Sequence, residues 1–159
     1  NILLLLTEWR KRDWEIIYSQ HLSLLPHSPL HYKNKTGVEF KEIITPLRQE
    51  IVFQKNVNSA FIGTELESHL REKQVQSVII TGLSTQHCVS TSARMSANLG
   101  FETFLVEDAT AAYEITDHTN TTITPEDVHK HEIAALHKEF ATIVKTDDVL
   151  KQLQQSSAV

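Results

Sequence analysis

Short, largely apolar runs without regular in–out alternation recur along this chain, separated by helical patterns or loops. Residues 14–19 (Trp-Glu-Ile-Ile-Tyr-Ser), 50–54, 77–81, 101–106 and 141–145 are such runs. A strand that is apolar on both sides is buried on both faces, which is the habit of parallel sheets covered by helices. Helical patterns fill the intervals at 64–73, 87–99 and 125–140, and a closing helix is expected at 147–152. Thr64 and Glu67 have the spacing of a capping box. Gly100 stops the second helix, and Thr124 followed by Pro125 starts the third. Ahead of the first strand, Ile2, Leu5, Leu6 and Trp9 fall at i, i+3, i+4, i+7, one face of an opening helix. The expected fold is α/β, three layers α-β-α around a mostly parallel sheet.

The chain has 159 residues, 40% of them hydrophobic. That suits one domain with one core, over residues 1–153, with the polar residues 154–159 as a flexible tail. A net charge of -5 argues against gripping phosphate backbones, so no nucleic-acid partner is expected. A single cysteine cannot close an internal disulfide, and no zinc-ligand spacing is visible. A reduced, cytoplasmic setting follows as the expectation, with no cofactor and no metal. The apolar run of residues 2–6 is too short for a bilayer, so no membrane partner is expected either.

In parallel sheets, ligands bind outside the carboxyl ends of the strands. Those ends are Gln20-His21, Lys55, residues 82–88 and Glu107-Asp108. The segment Val78-Ile79-Ile80-Thr81-Gly82-Leu83-Ser84-Thr85-Gln86-His87-Cys88-Val89 stands out: a buried strand, a tight polar turn, then a cysteine at a helix start. A helix N-terminus offers unsatisfied N–H groups and partial positive charge, which stabilise a thiolate and can hold an oxyanion. A lone cysteine is nonetheless more often an inert small hydrophobe. Lys55 ends a strand on what should be the same sheet edge. A cation near a thiol favours the thiolate, but a lysine there more often just reaches into water.

The residues that decide between these readings occur in order along nearly the whole chain. Lys55-Asn56-Val57-Asn58-Ser59-Ala60-Phe61-Ile62-Gly63-Thr64 resembles the lysine motif of isochorismatase-like cysteine hydrolases, and Gly82 through Val89 their nucleophile motif. Ser92-Ala93-Arg94, Leu99-Gly100-Phe101, Asp108-Ala109-Thr110 and the stretch from Glu126 through His129 to Ala141 continue the match, with wording closest to fungal members. The resemblance implies a Rossmann-like sheet and a cysteine-lysine-aspartate triad. Cys88 would attack a carbonyl carbon to form a covalent intermediate, with Lys55 holding the thiolate. The N–H groups of Ser84 and Cys88 would form the oxyanion hole, behind a cis Leu83–Ser84 peptide. Phe61, Thr85, His87 and His21 would line the pocket for a small-molecule substrate. A homo-oligomer is expected by the same analogy.

The sequence departs from the family in one respect. The family's aspartate ends a first, central strand, and this sequence opens at the helix that follows it, as a fragment of a longer protein would. Asp13 lies at the wrong end of that helix, and Asp108 reads as a structural acceptor. His21, His27 and His31 share one loop, but Gln20-His21 stands where a metal-binding nicotinamidase has Asp-Trp-His. His129, His131 and His137 receive no role. The expected activity is hydrolysis of a C–N bond in a small amide or ureido compound. Alternatives are an inactive binding or oligomerisation module, a vinyl ether hydrolase of the isochorismate type, and a nicotinamidase.

Overall fold

The computed structural model describes residues 1–156. They form two compact units, one of Ile2–Gln74 and one from Val75 onward together with Asn1.

The first unit opens with α1 (Ile2–Lys11), whose Leu5 is buried. The helix closes on Arg10 and Lys11, and the chain turns at Asp13, which takes a positive φ of 53°. Trp14 packs edge-on against Trp9, with ring centroids 5.3 Å apart. Trp14 therefore finishes the helix turn, and β1 starts later than the apolar run suggests, at Ile17–His21. Its partner is β2 (Ile51–Lys55), parallel, in register from Ile17 opposite Ile51 to His21 opposite Lys55. The connection between them carries α2 (Lys35–Val38) and a 3-10 turn at Glu42–Ile44. Arg10 forks onto Glu50 just ahead of β2, Nε to Oε1 at 2.7 Å and Nη2 to Oε2 at 2.9 Å, while Leu47 N donates to Oε2 at 2.8 Å. A guanidinium that fits a carboxylate with two bonds ties helix to strand more firmly than a point charge would.

α3 runs over Leu66–Glu72, later than the Thr64 start expected. The capping box does not form. Thr64 Oγ1 donates back to Ala60 O at 2.6 Å, and the N-cap position falls to Glu65, which makes no side-chain cap bond. The same oxygen accepts from Leu66 N at 3.3 Å, so Thr64 closes a turn ahead of the helix instead of capping the N–H of Glu67.

In the second unit, β3 (Ser77–Leu83), β4 (Glu102–Ala111) and β7 (Thr142–Val144) form a parallel sheet in the order β3-β4-β7. The fold is α/β with parallel strands as expected, but in two sheets rather than one: among the described residues no strand pairs with both sets. β4 extends five residues beyond the expected end at Val106, with the register breaking between Ile80 and Gly82. Gly82 sits at φ 124°, a conformation open to glycine and hardly to other residues. α4 (Ser90–Asn98) follows β3 through a π turn at Thr85–Val89. β5 (Ile115–Thr116) and β6 (Thr122–Ile123) make a small antiparallel hairpin that the sequence pattern did not suggest. Asp117 closes it, its Oδ1 accepting from Thr119 N, Thr119 Oγ1 and Thr121 N.

α5 (Pro125–Leu136) starts as expected, with the Thr124 hydroxyl accepting from Asp127 N at 3.2 Å. It stops four residues before Phe140 because Lys138 turns left-handed at φ 68° and donates to Ala141 O. That turn brings Phe140 and Ala141 onto the core of Val89, Ala93, Leu105 and Leu136. α6 (Thr146–Ser156) starts on Thr146 and continues into the segment expected to be a tail; residues 157–159 lie outside the described part. No helix among the described residues is long and apolar enough to cross a membrane.

Candidate functional site

β3 delivers the nucleophile turn. Its carboxyl end reaches Leu83, the Leu83–Ser84 peptide is cis, and Ser84 is extended at φ -101°, ψ 152°. From there the chain winds into the π turn rather than directly into an α-helix. Ser84 O accepts from His87 N at 3.1 Å and from Val89 N at 3.2 Å. The second bond spans five residues and defines the wide turn. π turns insert one extra residue into a helix and are frequent at functional sites. Cys88 is half-buried, in the first turn of the helical segment that continues as α4. Val89 beside it is buried in the core, so the turn is anchored at the residue after the thiol.

Thr85 opens the π turn and is completely buried. It points inward rather than lining an open pocket, and its Oγ1 lies 3.0 Å from Nδ1 of His129 on α5. His87 and Gln86 face the segment after β4. The His87 ring lies 5.6 Å from that of Tyr113, and Gln86 Nε2 donates to Tyr113 O at 3.2 Å. Tyr113 itself is exposed. Asp108 Oδ1 accepts from both N and Oγ1 of Thr146 at 2.8 Å, which caps α6 and commits that carboxylate to structure.

In the other unit, Lys55 is the last residue of β2 and is 5% exposed. Its ammonium donates to the backbone oxygen of Asn58 in the loop that follows. A buried ammonium needs such a partner, because desolvation without one is expensive. His21 ends β1 opposite Lys55. Burial, and secondly the charge on Lys55, hold the His21 imidazole below its ordinary pKa, so it favours the neutral form. Gln20 is taken up structurally, donating to Val38 O at 2.8 Å and accepting from Gln54 Nε2 at 3.0 Å. Phe61 is nearly buried and borders a shallow cleft with Thr64, Ser68 and Arg71. His31 accepts from Lys33 N within its loop. Among the described residues no three His, Cys, Asp or Glu side chains cluster as metal ligands.

Two residues beside the nucleophile turn went unassigned in the sequence. His129 carries a signal in retrospect. It shares a stripe at i, i+4, i+7 with Ile133 and Leu136, both of the core, and a histidine in such a stripe needs a polar partner inside. Tyr113 carries none, because a tyrosine between strands looks the same whether or not it meets the turn.

Comparison with known proteins agrees with this architecture. The Isochorismatase domain family matches residues 1–148. The isochorismatase family protein YrdC of Bacillus subtilis is 48% identical over 150 residues, covering 94% of this chain and 80% of its own length. Maleamate amidohydrolase of Pseudomonas putida is 27% identical over 115 residues, covering 72% of this chain and 49% of that enzyme. The crystal structure of an isochorismatase-family protein from Chromobacterium violaceum superposes with a TM-score of 0.91 at 33% identity, over 97% of this chain and 79% of that one. The chain belongs to the isochorismatase family of hydrolases.

Proposed function

We propose that the protein cleaves a C–N bond in a small amide or ureido compound, with Cys88 as nucleophile. The observation that carries this reading is the placement of the chain's single cysteine, half-buried in the first turn of a helical segment at the carboxyl end of a parallel strand. Helix-start N–H groups favour a thiolate and an oxyanion alike. In the proposed reaction the thiolate adds to the carbonyl carbon and the carbonyl π pair moves to oxygen, giving a tetrahedral oxyanion held by the N–H groups of Ser84 and Cys88. The C–N bond then breaks as the nitrogen takes a proton, leaving a thioester. Water adds to that carbon, the C–S bond breaks, and carboxylate and thiol are released. Likeness to a maleamate amidohydrolase supports an amide as substrate class.

Protonation of the leaving nitrogen requires a positioned acid, a contribution of about 10²–10⁴ in rate. The commitment of Asp108 to Thr146 favours, as a second reading, a member that binds its ligand without turnover. Assay against a panel of small primary amides and ureido acids separates the two. The enzyme reading expects turnover that Cys88→Ala lowers by about 10⁴-fold or more. Ligand binding with no turnover in the intact chain supports the second reading. Turnover that survives Cys88→Ala removes the cysteine from the mechanism.

A further inference from the structure

We infer that His129, on α5, is a positioning residue for Cys88: it holds the buried Thr85 hydroxyl and so fixes the π turn that carries the thiol. The inference rests on the reading of Cys88 as nucleophile.

Thr85 has no solvent exposure, so its hydroxyl must find a partner in the protein. That partner is Nδ1 of His129 at 3.0 Å, 44 positions further along the chain. The bond acts at the first residue of the π turn. Downstream, the turn is held by Ser84 O accepting from Val89 N and by Thr85 O accepting from Ser90 N. A π turn contains one residue more than the α-helical turn to which it can relax. Relaxation would rotate the residues that follow by about 100° around the helix axis, the angle one residue subtends. The direction in which Cys88 points therefore depends on the turn keeping its wide form, and Thr85 is the side chain placed to enforce it.

α5 is a suitable strut. Thr124 caps its start, Val128 beside His129 is buried, and Leu136 at its end is fully buried. Arg94 of α4 stacks over Phe140 at 4.6 Å, tying the helix after the nucleophile to the turn after α5. His129 is itself half-buried at the edge of a shallow, largely apolar cleft of about 410 Å³ with Ile133 and Ile143. It does not need to meet substrate to act; it acts through Thr85.

Because Cys88 is the only cysteine in the sequence, iodoacetamide alkylation reports on this thiol alone. The test measures the alkylation rate constant at pH 6 and the melting temperature for the wild-type chain, H129A, H129N, H129Q, T85V and the double variant T85V/H129A. Asparagine places an amide atom where Nδ1 stands, whereas glutamine reaches the Nε2 position. The expected result is alkylation slower by about tenfold in H129A and T85V, a fraction of the roughly 10²-fold that a full misplacement of about 1 Å can cost. H129N should restore the wild-type constant and H129Q should not. The double variant should be no slower than either single one, because both remove the same bond. Should H129A fail to fold, T85V carries the same comparison, since valine keeps the shape of threonine without the hydroxyl. A wild-type thiol that alkylates no faster than free cysteine overturns the nucleophile reading and this inference with it. A fast wild-type thiol left unchanged by H129A or T85V overturns the inference alone. So does equal rescue by asparagine and glutamine, or a rate loss that simply follows melting temperature across the variants.

Discussion

In the unit of Ile2–Gln74, Lys55 is held by a bond to a residue three positions away, whereas in the unit from Val75 onward the turn carrying Cys88 is held by residues brought from far along the chain. The first unit has a two-stranded sheet, and Leu24, Leu25, Ile43 and Leu47 among its large apolar side chains stay exposed. The second has a three-stranded sheet and a continuous core that includes the residue next to Cys88. A two-stranded sheet has little face on which to build a core, and three strands with helices packed on them suffice for one. The lysine is thus placed by local geometry at the end of a strand. The cysteine is placed by packing, and its position is as good as the core behind it.

The largest test of that contrast is a cavity. Leu105 is completely buried in the second unit, so Leu105→Ala should destabilise the chain by about 2–5 kcal/mol. Leu25 is 71% exposed in the first unit, and Leu25→Ala should change stability by no more than about 0.5 kcal/mol. Urea unfolding of both variants measures this, and similar losses would break the contrast in core quality.

A smaller effect belongs to the first unit, where an ion pair does what packing does in the second. The Glu50 side chain is 6% exposed, and the hydrogen-bonded Arg10 guanidinium holds its carboxyl below the ordinary glutamate range. A carboxyl with a lower pKa folded than unfolded binds fewer protons in the folded state. Its stabilisation is complete above the ordinary value and is lost as pH falls from there through the folded value. Arg10→Ala should cost about 1–3 kcal/mol at pH 7, because the buried carboxylate loses its charged partner and keeps the Leu47 N–H. Glu50→Gln should flatten the dependence of the urea midpoint on pH in the acid range. An unchanged acid limb in Glu50→Gln would assign that limb to other carboxyls.

The smallest test concerns helix starts. Thr124→Ala removes a cap that is made and should cost about 1 kcal/mol. Glu67→Ala removes only the exposed partner of Arg71, with no capping box to break, and should stay within about 0.5 kcal/mol. Thermal melts of the two variants sharpen the comparison of local order in the two units.

Much of the fold was legible in the chain itself. Apolar runs long enough for a strand and too short for a helix marked β2, β3 and β4, although the burial on both faces that such runs imply is not met in β3, where Ile79 is 37% and Leu83 65% exposed. Thr124-Pro125 marked the start of α5 because a cap and its missing N–H are written in adjacent residues. The segment from Gly82 to Cys88 marked the candidate nucleophile, since glycine, a polar turn and a cysteine after an apolar strand are local features. Elsewhere competing contacts prevailed. Trp14 joined the end of α1 by packing on Trp9, Thr64 turned its hydroxyl to Ala60 O and Leu66 N rather than to Glu67 N, and Lys138 turned left-handed to send Phe140 into the core.

By itself, then, the sequence determined that Lys55 ends a strand, that the thiol follows a strand, and that the main strands are parallel, because each is a matter of hydrophobic pattern and neighbouring residues. Only the tertiary structure decided that the thiol sits in a π turn rather than at the start of a plain α-helix, that Thr85 faces inward to His129, that Tyr113 meets His87, and that Asp108 is bound to Thr146. Each of these joins residues between 26 and 44 positions apart or depends on such a join. A contact of that range is selected by which surfaces can be buried together once the strands have aligned, and no window of neighbouring residues contains that information.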